Sequence, residues 1–435
     1  MNENPSFNLS VVLRETGIKA DTLRAWERRY GLPSPARTEG KHRLYSERDI
    51  ETIKWLLTRL DEGLRIKNAV SLWHEIEASG QDPLTTRSAS PSIVQPVQLP
   101  AIRADLDEIR NAWVTFALDF DETSAEIVLA QSFARYPIAT VSLGVLQKGI
   151  HEIGEKWFRG EITVQQEHFA SALAIRHLDS LLASSPPPTR NKRILIGCPP
   201  QEEHIFSNLL IALLLRQRGW DVIYLGANVP VAQLDTTIKI TQPDLVILTA
   251  MRLNTAATLL QVSQAIEGQS KFAFGGLIFN TEPEIRDRIS GFFLGENYET
   301  AVQNIENILM ANLRQPKAVQ ISEDYKVCFD HFQENRTLID ILVWQNIQSN
   351  GFQNQHFETA KHHFPESILA ALKLGHIRGL DSEIEWIKQL LENNNIPAEI
   401  LGYFLHLYLD ALKTNLDDRG LMLIDWLSQK VEGLE

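Results

Sequence analysis

Arg193-Ile-Leu-Ile-Gly-Cys198-Pro-Pro-Gln-Glu202-Glu-His204-Ile-Phe-Ser207 is the stretch on which the fold turns. A short apolar run stops at Gly-Cys-Pro-Pro, a polar loop follows, and a helical pattern begins. The same unit recurs at Asp221–Gly226 (DVIYLG), Asp244–Thr249 (DLVILT), Phe272–Gly276 (FAFGG) and Gly291–Gly295 (GFFLG). Five strand-then-helix units predict an α/β domain over residues 190–314, built on a doubly wound, parallel, five-stranded sheet. Ligands of such sheets collect at the carboxyl ends of the strands. Glu202–Ser207 follow the first strand, Gly226–Pro230 the second, Thr249–Met251 the third, Gly275-Gly276 the fourth and Gly295-Glu296 the fifth. One edge thus gathers every candidate ligand residue of the domain, and its glycines let backbone approach a buried group.

Working outward, residues 101–185 show helical periodicity without strand signals and predict a four-helix bundle, joined to the sheet domain by the stiff Ser185-Pro186-Pro187-Pro188. Residues 81–100, rich in Pro, Ser, Thr and Gln, are expected to be a linker. Residues 316–435 predict an all-α C-terminal domain of unassigned role. There Ile384, Ile387, Leu390 and Leu391 share a helix face capped by Asp381 or Ser382. Trp344, Trp386 and Trp426 lie in apolar stripes and are expected in the core. His331, His356, His362, His363, His376 and His406 match no zinc spacing and are expected to be inert.

The chain has 435 residues, 44% of them apolar and 22% charged, the composition of a multidomain globular protein. Two cysteines, Cys198 and Cys328, exclude a disulfide framework, so a reducing cytoplasm is expected. The N-terminus shows no signal-peptide pattern and no apolar run reaches about 18 residues, so no membrane partner is expected. Net charge is −13, yet Lys19–Arg48 holds eight basic residues against four acidic ones. A basic patch in an acidic chain implies a confined contact with a polyanion.

That patch lies in NLSVVLRETGIKADTLRAWERRYGL, which has the shape of helix, Gly17 turn and second helix. On a helical wheel Leu23 and Tyr30 point inward, while Thr22, Arg24, Arg28 and Arg29 point outward around Ala25. This face suits the major groove of double-stranded DNA. Trp26 is open between core packing and a phosphate contact. Gly40 can turn a short β-wing carrying Arg37, Lys41, His42 and Arg43 to the DNA backbone. The run resembles the MerR family, which implies an all-α winged helix-turn-helix over residues 1–80, working on a two-fold operator. The family's long dimerisation helix is replaced here by the linker.

Trp157 and Glu167-His168 are spaced as Trp-x9-Glu-His, and Glu202-x-His204 stands in the loop after the first strand. Together with the MerR-like start, these residues resemble the cobalamin-responsive regulators of the CarH/LitR type. The resemblance covers roughly residues 7–312. It implies that His204 ligates cobalt, with Glu202 tuning its basicity, and that Thr249, Gly275 and Gly276 line the nucleotide side. It also implies that Trp157, Glu167 and His168 contact an upper adenosyl group. Three positions depart from the family. Phe158 stands where light-sensing members carry a histidine that captures cobalt, and phenylalanine cannot ligate a metal. Ser207 replaces the glycine of Glu-x-His-x-x-Gly. Thr249 and Met251 stand for a usual Ser-x-Leu pair.

The sequence therefore points to a DNA-binding transcriptional regulator, a repressor rather than an enzyme, with light as a candidate input. Cobalamin, as adenosylcobalamin, would control its assembly as a homo-oligomer, dimer or tetramer. Two alternatives stay open: the same regulator sensing another tetrapyrrole or no small ligand, and a corrinoid carrier for methyl transfer.

Overall fold

The computed structural model describes residues 5–37, 43–61, 66–78, 82–84, 105–311, 313–349, 355–394, 396–397 and 399–433. The chain divides into two units, residues 1–99 and 100–435.

In the first unit α1 (Leu9–Thr16) is capped by Asn8, whose side chain accepts from the Val11 amide at 3.1 Å. Gly17 ends it in the left-handed conformation at φ 69°, which a glycine enters without a Cβ penalty. α2 (Ala20–Tyr30) follows, and then the antiparallel pair β1 (Ala36–Arg37) and β2 (Arg43–Leu44), with Ala36 opposite Leu44. These strands flank the expected wing. Its tip, with Gly40, Lys41 and His42, lies outside the described residues. α3 (Glu47–Asp61) and α4 (Ile66–Ala78) complete a core of Val12, Leu23, Tyr45, Ile53, Leu56 and Trp73. Trp26 belongs to this core at 5% exposure, which settles its role as packing. Asp82, expected in the linker, binds the Arg48 guanidinium through both oxygens at 2.7 and 2.9 Å, and Leu84 packs on the core. Residues 85–100 of that linker lie outside the described ones.

The second unit begins with helices α5 (Leu106–Leu118) and α6 (Glu122–Arg135). A continuous third helix runs through α7 (Ile138–Val141), a π-helical stretch at Ser142–Gln147 and α8 (Lys148–Phe158). α9 (Val164–Ala183) starts at a capping box in which Thr163 and Gln166 each bond the other's backbone. This is the expected four-helix bundle, centred on the fully buried Trp113. α9 packs on α10, the first helix of the sheet domain.

That domain runs β3 (Arg193–Gly197), α10 (Phe206–Gln217), β4 (Asp221–Tyr224), α11 (Leu234–Thr241), β5 (Leu245–Thr249), α12 (Leu253–Ala265) and β6 (Lys271–Gly275). α13 (Leu277–Thr281), a 3-10 turn at Pro283–Arg288, β7 (Phe292–Phe293) and α14 (Tyr298–Met310) follow. All five strands are parallel, in the order β4-β3-β5-β6-β7. The central strands are apolar throughout because both faces are covered. Gly276, at φ 113°, closes the end of β6 so tightly that a Cβ would lie 2.1 Å from the Ala250 carbonyl oxygen. Backbone packing between strand ends therefore accounts for this glycine. Gly276→Ala is expected to destabilise the unit by about 3 kcal/mol or more, measured as a lower urea midpoint with an unchanged slope.

The last third is helical: α15 (Glu323–Ser349), α16 (Gln355–Leu374), α17 (Gly379–Asn393), α18 (Glu399–Asn415) and α19 (Leu421–Glu432). α16 packs on α12, and one apolar core runs from Val246, Leu248 and Phe272 of the sheet to Phe364, Phe404 and Tyr408. Two expectations here need correction. α17 starts at Gly379 after Arg378, so Asp381 and Ser382 lie within it, and both side chains bond other elements instead of capping. Trp426 is buried and Trp344 half-buried under Lys361, but Trp386 is 45% exposed. Among the described residues no helix is long and apolar enough to cross a membrane.

Candidate functional site

The loop between β3 and α10 is organised by one carboxylate. Glu202 is 1% exposed, and its Oε1 meets the His204 ring Nδ1 at 2.6 Å and accepts from the His204 amide at 3.0 Å. Its Oε2 accepts from the Met251 amide at 2.7 Å and from the Thr255 hydroxyl at 2.6 Å. Burial is the largest influence on this carboxyl and pushes its pKa up, but these hydrogen bonds together hold it down at about 2. Glu202 is thus an anion with both oxygens engaged, tying the loop after β3 to the loop after β5.

The consequence falls on His204. With Nδ1 against the carboxylate, the hydrogen bond favours the tautomer that donates from Nδ1 and leaves Nε2 as the ring's free acceptor. The ring is half exposed, and among the described residues nothing engages Nε2. This is the arrangement of a metal-binding imidazole whose tautomer has been fixed beforehand. The loop is also latched to the turn after β4: Asn228 donates its amide to the Glu202 carbonyl at 3.0 Å, and its side chain accepts from the Gln201 amide at 2.9 Å.

Beside it the strand ends hold buried polar atoms without partners. Thr249 Oγ1 at the end of β5 and Asn208 Oδ1 in the first turn of α10 have no hydrogen bond among the described residues, while Asn208 Nδ2 is held by the Gly197 carbonyl at 2.7 Å. Such orphans are costly unless a ligand or water meets them. Donor, orphans and strand-end position all fit a corrinoid, which His204 would hold. Ser207, on α10, pairs its hydroxyl with that of Tyr298 on α14 at 2.8 Å. Cys198 is unsuited to metal binding, since burial pushes its thiol up to about 12.

The bundle supplies the other candidates. Trp157 lies in the last turn of α8 and Glu167 in the first turn of α9, so both flank the same short loop at one end of the bundle. Glu167 accepts from the Ser171 hydroxyl at 2.7 Å and meets the ring of the exposed His168 at 2.7 Å. Gly275 lies at the carboxyl end of β6, where a Cβ would meet only Leu294 at 3.8 Å. Sequence reasoning did not single out Thr255, Asn208 or Tyr298. Each is an ordinary polar residue whose role depends on what the fold brings beside it.

On the first unit, Thr22, Arg24, Arg28 and Arg29 are exposed along α2, as the wheel predicts. Arg24 makes a surface pair with Asp21 at 3.5 Å, and no described residue pairs with Arg28 or Arg29. Arg43 gives its Nε to Glu27 at 2.7 Å, and Tyr45 donates to the same carboxylate at 2.6 Å, bracing β2 against α2. The backbone of Arg37 lies in β1. Lys41 lies outside the described residues.

Residues 7–74 match the family described as MerR HTH family regulatory protein, and residues 109–181 and 192–303 match two families described as B12 binding domain. Together these matches support a MerR-type regulator that carries a cobalamin-binding module. It is 28% identical over 289 residues to the HTH-type transcriptional repressor CarH of Myxococcus xanthus, covering 66% of this chain and 93% of that one. It is 29% identical over 251 residues to the repressor CarA of the same organism, covering 57% and 77%. The trimethylamine corrinoid protein of Methanosarcina barkeri is 24% identical over 205 residues, covering 44% and 92%. In this regulator the family matches end at residue 303, so all five described helices of the C-terminal third lie beyond them.

Proposed function

We propose that this regulator is a cytoplasmic, DNA-binding repressor whose assembly and operator affinity are set by a bound cobalamin, with adenosylcobalamin as the working form. The observation that carries the reading is the grip of Glu202 on His204, which leaves Nε2 presented at the carboxyl edge of the sheet. His204 would ligate cobalt, Thr249 and Asn208 would meet the polar tail, and Trp157 and Glu167 would face the upper substituent. When bound, the cofactor supplies a cobalt–carbon bond that light can cleave. The DNA face is Thr22, Arg24, Arg28 and Arg29 on α2, with Arg37, Lys41 and Arg43 of the wing on the backbone. A two-fold homo-oligomer, dimer or tetramer, would place two such faces on one operator, and mass action would link ligand to DNA affinity.

The test is the absorption spectrum after dark incubation with adenosylcobalamin and desalting, repeated after green light. Wild-type protein is expected to keep corrin bands that change on illumination, and His204→Ala to lose most of the colour. With Phe158 in place of the family's histidine, the photoproduct is expected to lack bis-histidine ligation. A colourless wild-type protein would overturn the reading. One observation favours a second reading, the same regulator with a different tetrapyrrole: the Ser207–Tyr298 hydroxyl pair occupies the place of the family's glycine. A haem- or bilin-like spectrum without cobalt in protein from cells would support it.

A further inference from the structure

Through one face of α17 the C-terminal helices touch both the sheet domain and the tip of the bundle. Ser382, Trp386 and Asn393 stand at i, i+4 and i+11 and so lie in a single stripe. At the start of the stripe the Ser382 hydroxyl donates to Glu282 Oε1 at 2.5 Å, and His376 Nε2 meets Glu282 Oε2 at 2.8 Å. Glu282 is buried and directly follows α13, beyond the carboxyl end of β6. Gly379 packs on Leu253, the first residue of α12 after β5, where a Cβ would lie 3.4 Å from Leu253 Cδ1. α17 is therefore anchored on the same sheet edge that carries Glu202 and His204.

Its other end touches the bundle. Asn393 Nδ2 donates to the Phe158 carbonyl at 2.9 Å, and a Cβ on Gly160 would lie 2.6 Å from the Asn393 carbonyl oxygen. Between the anchors the Trp386 ring stacks on Phe158, with centroids 5.7 Å apart and planes at 22°, and lies 6.4 Å from Trp157. At a rise of 1.5 Å per residue the stripe spans roughly 16 Å, so one helix bridges sheet edge and bundle tip. Trp386 nonetheless remains 45% exposed. A large ring that is anchored on two others and still open to solvent has apolar surface left to bury.

We propose that Trp386 is a further wall of the corrinoid site, forming with Trp157 and Phe158 an aromatic surface against a bulky upper axial substituent. The inference rests on the placement of cobalt at His204 and of the upper substituent at Trp157. An adenosyl group is large, flat and aromatic and gains from such a surface, whereas a hydroxo ligand is too small to touch it. The C-terminal third of the chain, outside the family matches, thereby becomes part of what distinguishes one cobalamin from another.

The experiment titrates full-length wild type, Trp386→Ala and Trp386→Phe in the dark with adenosylcobalamin and, separately, hydroxocobalamin, following absorbance, with circular dichroism on each variant. Trp386→Ala is expected to weaken adenosylcobalamin binding about tenfold and to leave hydroxocobalamin within about twofold, with Trp386→Phe recovering most of the loss. Equal losses for both cobalamins would mean that Trp386 only supports the fold and would overturn the proposal. Unchanged or tighter adenosylcobalamin binding by Trp386→Ala would overturn it too. If wild type binds neither cobalamin, the assignment of His204 fails and this inference falls with it, a result distinct from a failure at Trp386 alone.

Discussion

Glu202→Ala is expected to lower corrinoid affinity by about 10- to 100-fold, the usual effect of losing the partner that orients a metal-binding imidazole. It is also expected to lower the stability of the protein without ligand by about 2–4 kcal/mol. Both effects follow from the same four hydrogen bonds. The substitution leaves the Met251 amide, the His204 amide and the Thr255 hydroxyl short of an acceptor, and frees the His204 ring to turn. Thr255 retains a bond to the Arg252 carbonyl at 3.0 Å, and the His204 ring can reach water, so the loss stays below four full penalties. Glu202→Gln should rescue little. An amide keeps one acceptor for the histidine but turns its NH2 toward two other donors. Thermal unfolding of the unliganded protein, set beside a dark titration with adenosylcobalamin, measures both effects. Full corrinoid affinity in Glu202→Ala would remove the carboxylate from the account of the site.

The second large effect is expected at the DNA face. Arg28 and Arg29 are exposed and unpaired among the described residues, so their charge is available to phosphate. Removing both in Arg28→Ala, Arg29→Ala would take four guanidinium groups from the proposed two-fold dimer. Each phosphate contact contributes about 0.9 to the slope of log affinity against log salt, so the slope should flatten by roughly 2 if one arginine of each pair holds phosphate and by roughly 3–4 if both do, and affinity should fall by at least about 100-fold. The two residues lie about 100° apart on the helix, so one can enter the groove while the other stays on the backbone. The single variants separate these roles. Removing an arginine that holds phosphate weakens binding to all sequences alike, whereas removing one that reads a base relaxes preference at one position. Gel shifts across a salt series, on operator and scrambled DNA, give both readouts. Affinity unchanged within twofold would place the reading face elsewhere.

Much of this was legible in the sequence because the signals were local. The apolar runs from Arg193 to Leu294 are long enough to mark buried parallel strands, and their common carboxyl edge brings Glu202, His204 and Thr249 together on pattern alone. The outward face of α2 followed from simple periodicity, with Leu23 buried and Thr22, Arg24, Arg28 and Arg29 exposed. What escaped were relations between distant segments. Thr255 looks like any helix residue until Glu202 arrives beside it. Trp386 sits in an apolar stripe, and such a stripe cannot tell whether its partner is a core or the tip of another helix. Ser382 has the chemistry of a cap, but its hydroxyl is drawn off by Glu282, a hundred residues away in the chain. His376 passed for inert because its carboxylate partner belongs to a different layer. The π-helical stretch at Ser142–Gln147 has no marker in composition at all.

The strand order β4-β3-β5 carries a consequence of its own. The chain leaves β3 toward one neighbour and returns on the other side as β5, so the loops beyond these two strands part company and leave a gap between them. The gap is a by-product of connectivity and needs no hollow in the hydrophobic interior. Glu202 reaches across it to Met251 and Thr255, as a crossbeam joins two diverging walls. A lineage could therefore trade one ligand for another by editing loop residues while the sheet beneath stayed as it was. Sensor and scaffold can drift at different rates, and a departure such as Ser207 is where that drift would first be written.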